Sequence, residues 1–335
     1  ISGVVNFILD KEYTGFKSQV EYGETTYGDR ENSKIVLTYG SELGNGDGHL
    51  LLSGEVFRAN GIHYTTRDYA EQGNVAMINP DTSEGAPYFY TGSGIGISNY
   101  TPGGLIASGP LAGTYFGVDG ATGQLATGAT SGQWMQGGDW EYTTSGMLGT
   151  NSLAADLDRK NLFGRLSWMF GETEVFLQGS YAEYEGLSYY INPTTKGVTI
   201  YADNAYLPES VATQMATLGL DSFSLNTSNV DMPASGSNNK RDTTRIVGGA
   251  KGEFALSDKY FLWDVYYQHG KTNTDEHMTP TYNTSRLSLA TDAVVDPDTG
   301  NIVCRSTLTD PTNGCVPLNR MGVGVASEEA LAYVL

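Results

Sequence analysis

The chain has 335 residues, with 43 Gly and 22 Tyr but only 17% charged residues, and its mean hydropathy is −0.29. No apolar run approaches the roughly 18 residues of a spanning helix, which excludes a helical membrane protein but not a β-barrel, whose alternating strands halve the mean hydropathy. A net charge of −19 argues against a nucleic-acid partner, whose phosphates need Lys and Arg.

The first 28 residues set the pattern for the rest. Residues 1–9 are nearly uncharged, with Val4, Val5, Phe7, Ile8 and Leu9 close together, and Asp10, Lys11 and Glu12 end the run. From Phe16 the chain alternates: Phe16, Ser18, Val20 and Tyr22 on one side, Lys17, Gln19 and Glu21 on the other. That period of two predicts a strand with one apolar and one polar face. The first residues read as the middle of a domain, so a fragment is expected.

Six further strands follow. Ser33 to Leu43 puts Ile35, Leu37 and Tyr39 opposite Lys34 and Thr38, and Asn45-Gly46-Asp47-Gly48 then predicts a tight hairpin turn. His49 to Tyr64 carries Leu50, Leu52 and Val56 against Ser53 and Glu55. Residues 65–158 are rich in Gly, Ser, Thr, Asn and Pro, far beyond ordinary loop lengths. They also hold Tyr88, Phe89, Tyr90, Tyr100, Trp134, Trp140 and Tyr142, which predicts a partly ordered, ligand-facing loop, since disordered linkers are poor in aromatics.

Arg159 to Phe170 and Thr173 to Tyr190 are the fourth and fifth strands, joined by Gly171-Glu172. A second long loop runs over 191–241, with helical spacing from Pro208 to Leu218. Asp242 to Leu256 and Tyr260 to His277 are the sixth and seventh strands, joined at Ser257-Asp258-Lys259. In the last segment Ser327 is an expected N-cap, with Glu328 and Glu329 in the first turn.

Three features together predict an antiparallel transmembrane β-barrel rather than a soluble sandwich. Turns near 44–48, 171–172 and 257–259 are minimal, whereas connections at 65–158, 191–241 and 278–335 are very long, as in barrels with short turns on one side and long extracellular loops on the other. Several strands exceed the usual five or six residues of soluble sheets. Tyrosines fall near strand ends, as in interfacial girdles. Seven strands are odd in number, so the sheet reads as part of a larger barrel.

The chemistry-bearing motifs are sparse. Cys304 and Cys315 lie in a loop-like stretch with no His or further Cys nearby, so a disulfide formed in an oxidising compartment is the better reading than zinc. Asp296-Pro297-Asp298-Thr299-Gly300-Asn301 has alternating carboxylates but lacks the spacing and distal Glu of an EF-hand, and reads as a plain turn. Neither a catalytic motif nor a phosphate loop is present, so an enzyme, a metal site and a cofactor are not expected. The polar strand faces supply the candidate lumen-facing or plug-facing residues: Lys17, Gln19, Glu21, Glu55, Arg165, Gln178, Lys251, Glu253 and Asp264. Trp134, Trp140 and Tyr142 are the candidate loop contacts to a ligand, through stacking.

Three segments resemble TonB-dependent outer-membrane receptors: the junction Ser2 to Lys11, the run Asp203-Asn204-Ala205-Tyr206-Leu207-Pro208-Glu209-Ser210, and the stretch from Asp292 to Asn319 with its two cysteines. The resemblance implies residues 1–12 as the end of a plug domain and linker, and 13–335 as the N-terminal part of a 22-stranded barrel. It implies an outer-membrane receptor of a Gram-negative bacterium that imports a scarce, bulky nutrient (ferric siderophore, vitamin or oligosaccharide) with energy from a TonB complex. Its partners would then be TonB, its own plug, the nutrient, membrane lipid and lipopolysaccharide. The alternatives are a passive porin-like barrel without a plug and a secreted all-β adhesin.

Overall fold

The chain divides into two units: Ile1–Ile62 with Ala154–Ser188 and Ser237–His277, and His63–Leu153 with Tyr189–Gly236 and Met278–Leu335. The computed structural model describes residues 3, 9–64, 67–79, 81–126, 128, 130–142, 151–279 and 281–335. The expected plug remnant therefore lies outside the described residues, apart from Gly3 and the segment from Leu9 onward.

The first unit is built on one antiparallel sheet. Its strands are β1 (Gly15–Glu24), β2 (Glu31–Leu43), β3 (Gly48–Ala59), β4 (Asp156–Phe170), β5 (Thr173–Ile191), β6 (Ser235–Leu256) and β7 (Lys259–Met278). They are hydrogen-bonded in chain order, and the sheet is open, with β1 and β7 at its edges. Two expected boundaries move. The third strand stops at Ala59 instead of reaching Tyr64, because the Asp156 carboxylate captures the Gly61 N–H at 2.6 Å and draws the chain out of the ladder. The sixth begins at Ser235 instead of Asp242, since the polar run to Lys240 pairs through its backbone without any apolar alternation to announce it.

Register decides what shares a face. Tyr39 stands opposite Leu52, Leu52 opposite Gly164, and Gly164 opposite Gly179. The same parity gathers Phe16, Val20, Ile35, Leu37, Val56, Leu162, Leu166, Leu177 and Tyr181 onto one face. These side chains are exposed: Phe16 to 66%, Leu37 to 47%, Leu177 to 58%. Among the described residues of this unit, the buried apolar side chains are Leu51, Ala59 and Val247. Burying a large apolar side chain is worth about 1.5–3 kcal/mol, so the sheet as it stands forgoes most of its hydrophobic stabilisation. A shallow apolar hollow of about 630 Å³ crosses this face where Gly54, Gly164 and Gly179 leave the backbone bare between Leu52, Leu162 and Tyr181.

The turns sort by side. At 44–47 the chain reverses through Asn45 at φ +62° and Gly46 at φ +97°, the left-handed backbone that Asn and Gly tolerate. Gly171 at φ +63° closes the β4–β5 turn, and Ser257 at φ +57° the β6–β7 turn. The excursions between β3 and β4, between β5 and β6, and after β7 all leave from the other strand ends.

The second unit has cores of its own. Helix α1 (Glu209–Leu218) buries Val211 and Met215, one turn apart, against Ile106, Phe116, Ile200, Phe223 and Leu225. Helices α2 (Thr284–Thr291) and α3 (Glu328–Val334) bury Leu287, Ala290, Ala330 and Val334 around Met232 and Leu318. Asn283 caps α2 through the Ser285 and Arg286 N–H groups at 3.1 Å, and Ser327 caps α3 through that of Ala330 at 3.1 Å. Residues 65–158 are not one long loop: they contain short strands that join a three-stranded and a five-stranded sheet.

Cys304 and Cys315 are disulfide-bonded, eleven residues apart. Closing so short a loop stabilises by about 3 kcal/mol in the chain-entropy picture. Replacing both cysteines with serine is expected to cost that order of stability, read as a lowered urea midpoint against the oxidised protein.

Candidate functional site

The polar face of the sheet is built by the same register that exposes the apolar one. Lys17, Gln19 and Glu21 alternate with Phe16, Ser18 and Val20, so they must point the opposite way. Lys34 lies across from Glu21 and bonds it at 3.0 Å, while Gln19 donates to the same carboxylate. Glu55 is opposite Asn161, which donates to it at 3.0 Å, and Arg159 completes the group at 2.8 Å.

The densest group is centred on Arg165. Its side chain is 3% exposed, and Glu174 bonds it directly. Ser167 accepts from its Nη1 at 2.9 Å, and the guanidinium lies 5.0 Å over the Phe176 ring. Lys251 reaches the other oxygen of Glu174 at 2.8 Å. Beside this network a hollow of about 890 Å³ is lined by Glu12, Glu172, Glu253, Trp263 and Asp264.

The sequence-derived residues thus form separate clusters, not one constellation. Gln19 and Glu21 meet on β1. Arg165 and Lys251 meet through Glu174, with Gln178 opposite Arg165 in the ladder. Glu253 and Asp264 line the adjoining hollow, while Lys17 and Glu55 stand apart. Glu174, Arg159 and Lys34 were missed as members. Glu174 was legible, since it shares a strand face with Phe176 and Gln178, alternating with Val175 and Leu177, directly after the Gly171 turn.

The aromatic candidates of the second unit pack inward. Trp134 is half-buried against Ile97 and Tyr100, and the Trp140 ring lies against the backbone of Gly73 and Gly94. The Tyr142 side chain lies outside the described residues. Stacking of Trp134 on its neighbours leaves it less available to a ligand than its composition suggested.

A polar site that sequence reasoning passed over surrounds Arg305. Its Nε donates to Asp292 at 3.0 Å and its Nη atoms donate to Asp203 at 2.7 and 3.0 Å. The guanidinium sits 5.6 Å over the Tyr201 ring. Arg305 holds the Asp203 carboxyl below its ordinary range, and the two carboxylates push the guanidinium further up. A hollow of about 560 Å³ opens beside it, lined by Tyr201, Thr199, Ser288, Ser306 and Thr309. Two of the segments that carry the family resemblance meet here: Asn204 donates to the Thr291 carbonyl at 2.9 Å and the Ala205 N–H to that of Ala293 at 3.0 Å. The Asp296 stretch is a side-chain-capped turn, accepting from the Asp298 N–H at 2.9 Å and the Thr299 hydroxyl at 2.7 Å.

A scan against known protein families finds no match, and a search of curated proteins finds no relative.

Glu174→Ala strands the buried Arg165 guanidinium, whose carboxylate partner is Glu174. Breaking a buried pair costs about 3–5 kcal/mol, against about 0.5 kcal/mol or less for Lys17→Ala on the open part of the same face. Chemical denaturation of the two variants checks the contrast.

Burial pushes the Asp139 carboxyl up to about 6, opposed by N–H donors from its own backbone and Ile97. A folded-state value above the unfolded one of about 3.9 means that the fold disfavours the charge. The penalty is present above pH 6 and is relieved as the pH falls from about 6 towards 4. Asp139→Asn is therefore expected to raise the thermal midpoint at pH 8 and to lose most of that advantage below pH 5.

Proposed function

We propose that the seven-stranded sheet is part of the barrel of a TonB-dependent outer-membrane receptor, with the apolar face to lipid and the polar face to the lumen. The observation that carries this reading is the uncovered apolar face with its charged margin. On β4 the apolar run extends over Leu162, Gly164, Leu166, Trp168 and Phe170. Nine residues at about 3.3 Å each, tilted by about 40°, span about 23 Å, close to the roughly 25 Å apolar band of outer-membrane barrels. At one margin of the band Lys160 bonds Glu183 at 2.8 Å and Arg58 bonds Asp158 at 3.0 Å. At the other, near the tight turns, Phe254 stacks on Phe261 at 5.4 Å, beside Trp168 and Phe170 on the same face. Ion pairs suit the headgroup level, and aromatics the interface.

In this reading the sheet is the N-terminal third of a 22-stranded barrel, and the partners of β1 and β7 are later strands. The second unit is then extracellular, where its polar hollows meet a nutrient from outside. The work is selective binding, followed by passage when a TonB complex rearranges the plug, and the nutrient is a ferric siderophore, a vitamin or an oligosaccharide. The polar face supports a hydrated lumen: its charges are largely neutralised in pairs, which keeps a filled or traversed interior from binding ions strongly.

Leu177→Arg, in the middle of the apolar band, is expected to cost about 2–4 kcal/mol in a bilayer, while Gln178→Arg, one residue on but facing Arg165 across the strands, should cost about 1 kcal/mol or less. Unfolding of the full-length protein from lipid vesicles measures both. If that protein is monomeric in buffer without detergent, the membrane reading is wrong. Conductance in planar bilayers separates the plugged receptor, expected to be almost silent, from a passive pore.

A further inference from the structure

Arg320 is the most deeply buried cation of the second unit, 6% exposed. It is anchored on one side only, where its Nη2 donates to the Asn229 Oδ1 at 2.7 Å and to the Thr195 hydroxyl. Among the described residues its Nε and Nη1 have no hydrogen-bond partner, and no carboxylate is paired with it: burial pulls the guanidinium down to about 10, and the group that opposes this is the Tyr282 phenol. Even so lowered, it carries a full positive charge at neutral pH. A buried charge without a counter-ion costs several kcal/mol, and water can satisfy its N–H groups but not its charge.

Arg320 lines a small hollow, shared with Pro102, Asn229, Asp231, Met232 and Leu331, with room for about 20 Å³. A hollow this small suits a monatomic occupant better than phosphate, sulfate or carboxylate. Asp231 does not fill the electrostatic role. Its oxygens accept the Gly324 N–H at 3.0 and 3.2 Å, and burial raises its affinity for a proton.

We propose that this hollow binds a halide ion, chloride in solution, as the counter-ion of Arg320. Neutralised in this way, Arg320 ties together three stretches distant in sequence, those around Thr195, Asn229 and Arg320 itself. The proposal stands on this unit alone and does not depend on the transport reading.

Crystals of the full-length protein soaked in bromide should show an anomalous peak within hydrogen-bonding distance of Arg320 Nε or Nη1. In solution, the unfolding midpoint should be higher in chloride or bromide than in gluconate of equal ionic strength. Above saturation, each tenfold rise in halide adds a tenfold factor to the folding equilibrium. Arg320→Met should abolish the difference between the salts, which separates the site from general salt effects. If that variant does not fold, Asp231→Asn decides. With a bound halide it keeps or strengthens the dependence, because a neighbouring acid is gone. With a water bridging Arg320 to Asp231 it is destabilised equally in every salt. No bromide peak, or midpoints that do not differ between halide and gluconate, overturns the proposal.

Discussion

The rest of the structure depends on an apolar face that no described residue of its own unit covers. Seven strands of ten to twenty-two residues bring large aliphatic and aromatic side chains to one side and leave them there. A sheet in water is stable when that face meets a helix layer or a second sheet, and here the described residues of the same unit supply neither. Hydrogen bonding fixes the ladder and its register, but the hydrophobic term that normally favours folding has to come from elsewhere. In the reading proposed above lipid is that medium, and what supports it is that charge pairs bound the face along one margin and aromatics along the other.

The opposite face follows from the same register. Once period two assigns the apolar residues to one face, the residues between them are committed to the other. There the charges need neutralising, and they are neutralised across strands: Glu21 with Lys34, Glu55 with Arg159, Glu174 with both Arg165 and Lys251. These contacts cross between neighbouring strands, so they also hold register against the one-residue slip that would exchange the two faces. The second unit solves its problem differently. Its segments are short and irregular, and they gain stability from compact clusters around Met215 and Leu287, from helix caps and from one disulfide.

What was legible in the sequence was what periodicity and punctuation encode. Phe16 to Tyr22 announced both faces of β1, Asn45-Gly46 the first turn, and Ser327 the cap of α3. Glu209–Leu218 was visible because Val211 and Met215 recur at helical spacing. The start of β6 was not, because Ser235 to Lys240 pairs through backbone groups that leave no mark on side-chain pattern. Nor could the sequence show that residues 65–158 build small sheets, since strands of two to four residues are shorter than any period needs in order to be seen. Trp134 looked like a ligand platform because composition reports that an aromatic is present, not which way it faces. The Arg305 site was hidden for a related reason: Asp203 and Arg305 are 102 residues apart, and only the fold brings them together.

Three arginines show how environment, not residue type, sets what a charge does. Arg165 is sunk in the sheet and is offset by Glu174, with Phe176 beneath it. Arg305 is more open and holds two carboxylates, so it acts as a clasp between two segments. Arg320 is as buried as Arg165 but has amide and hydroxyl acceptors where the others have carboxylates. Evolution had a cheap route to neutrality there, since Asp231 already lines the same hollow, yet that carboxylate is turned to the Gly324 N–H instead. A fold that pairs its other buried guanidinium so directly leaves this one charge to be met from outside the chain, and the space left beside it sets the size of what can meet it.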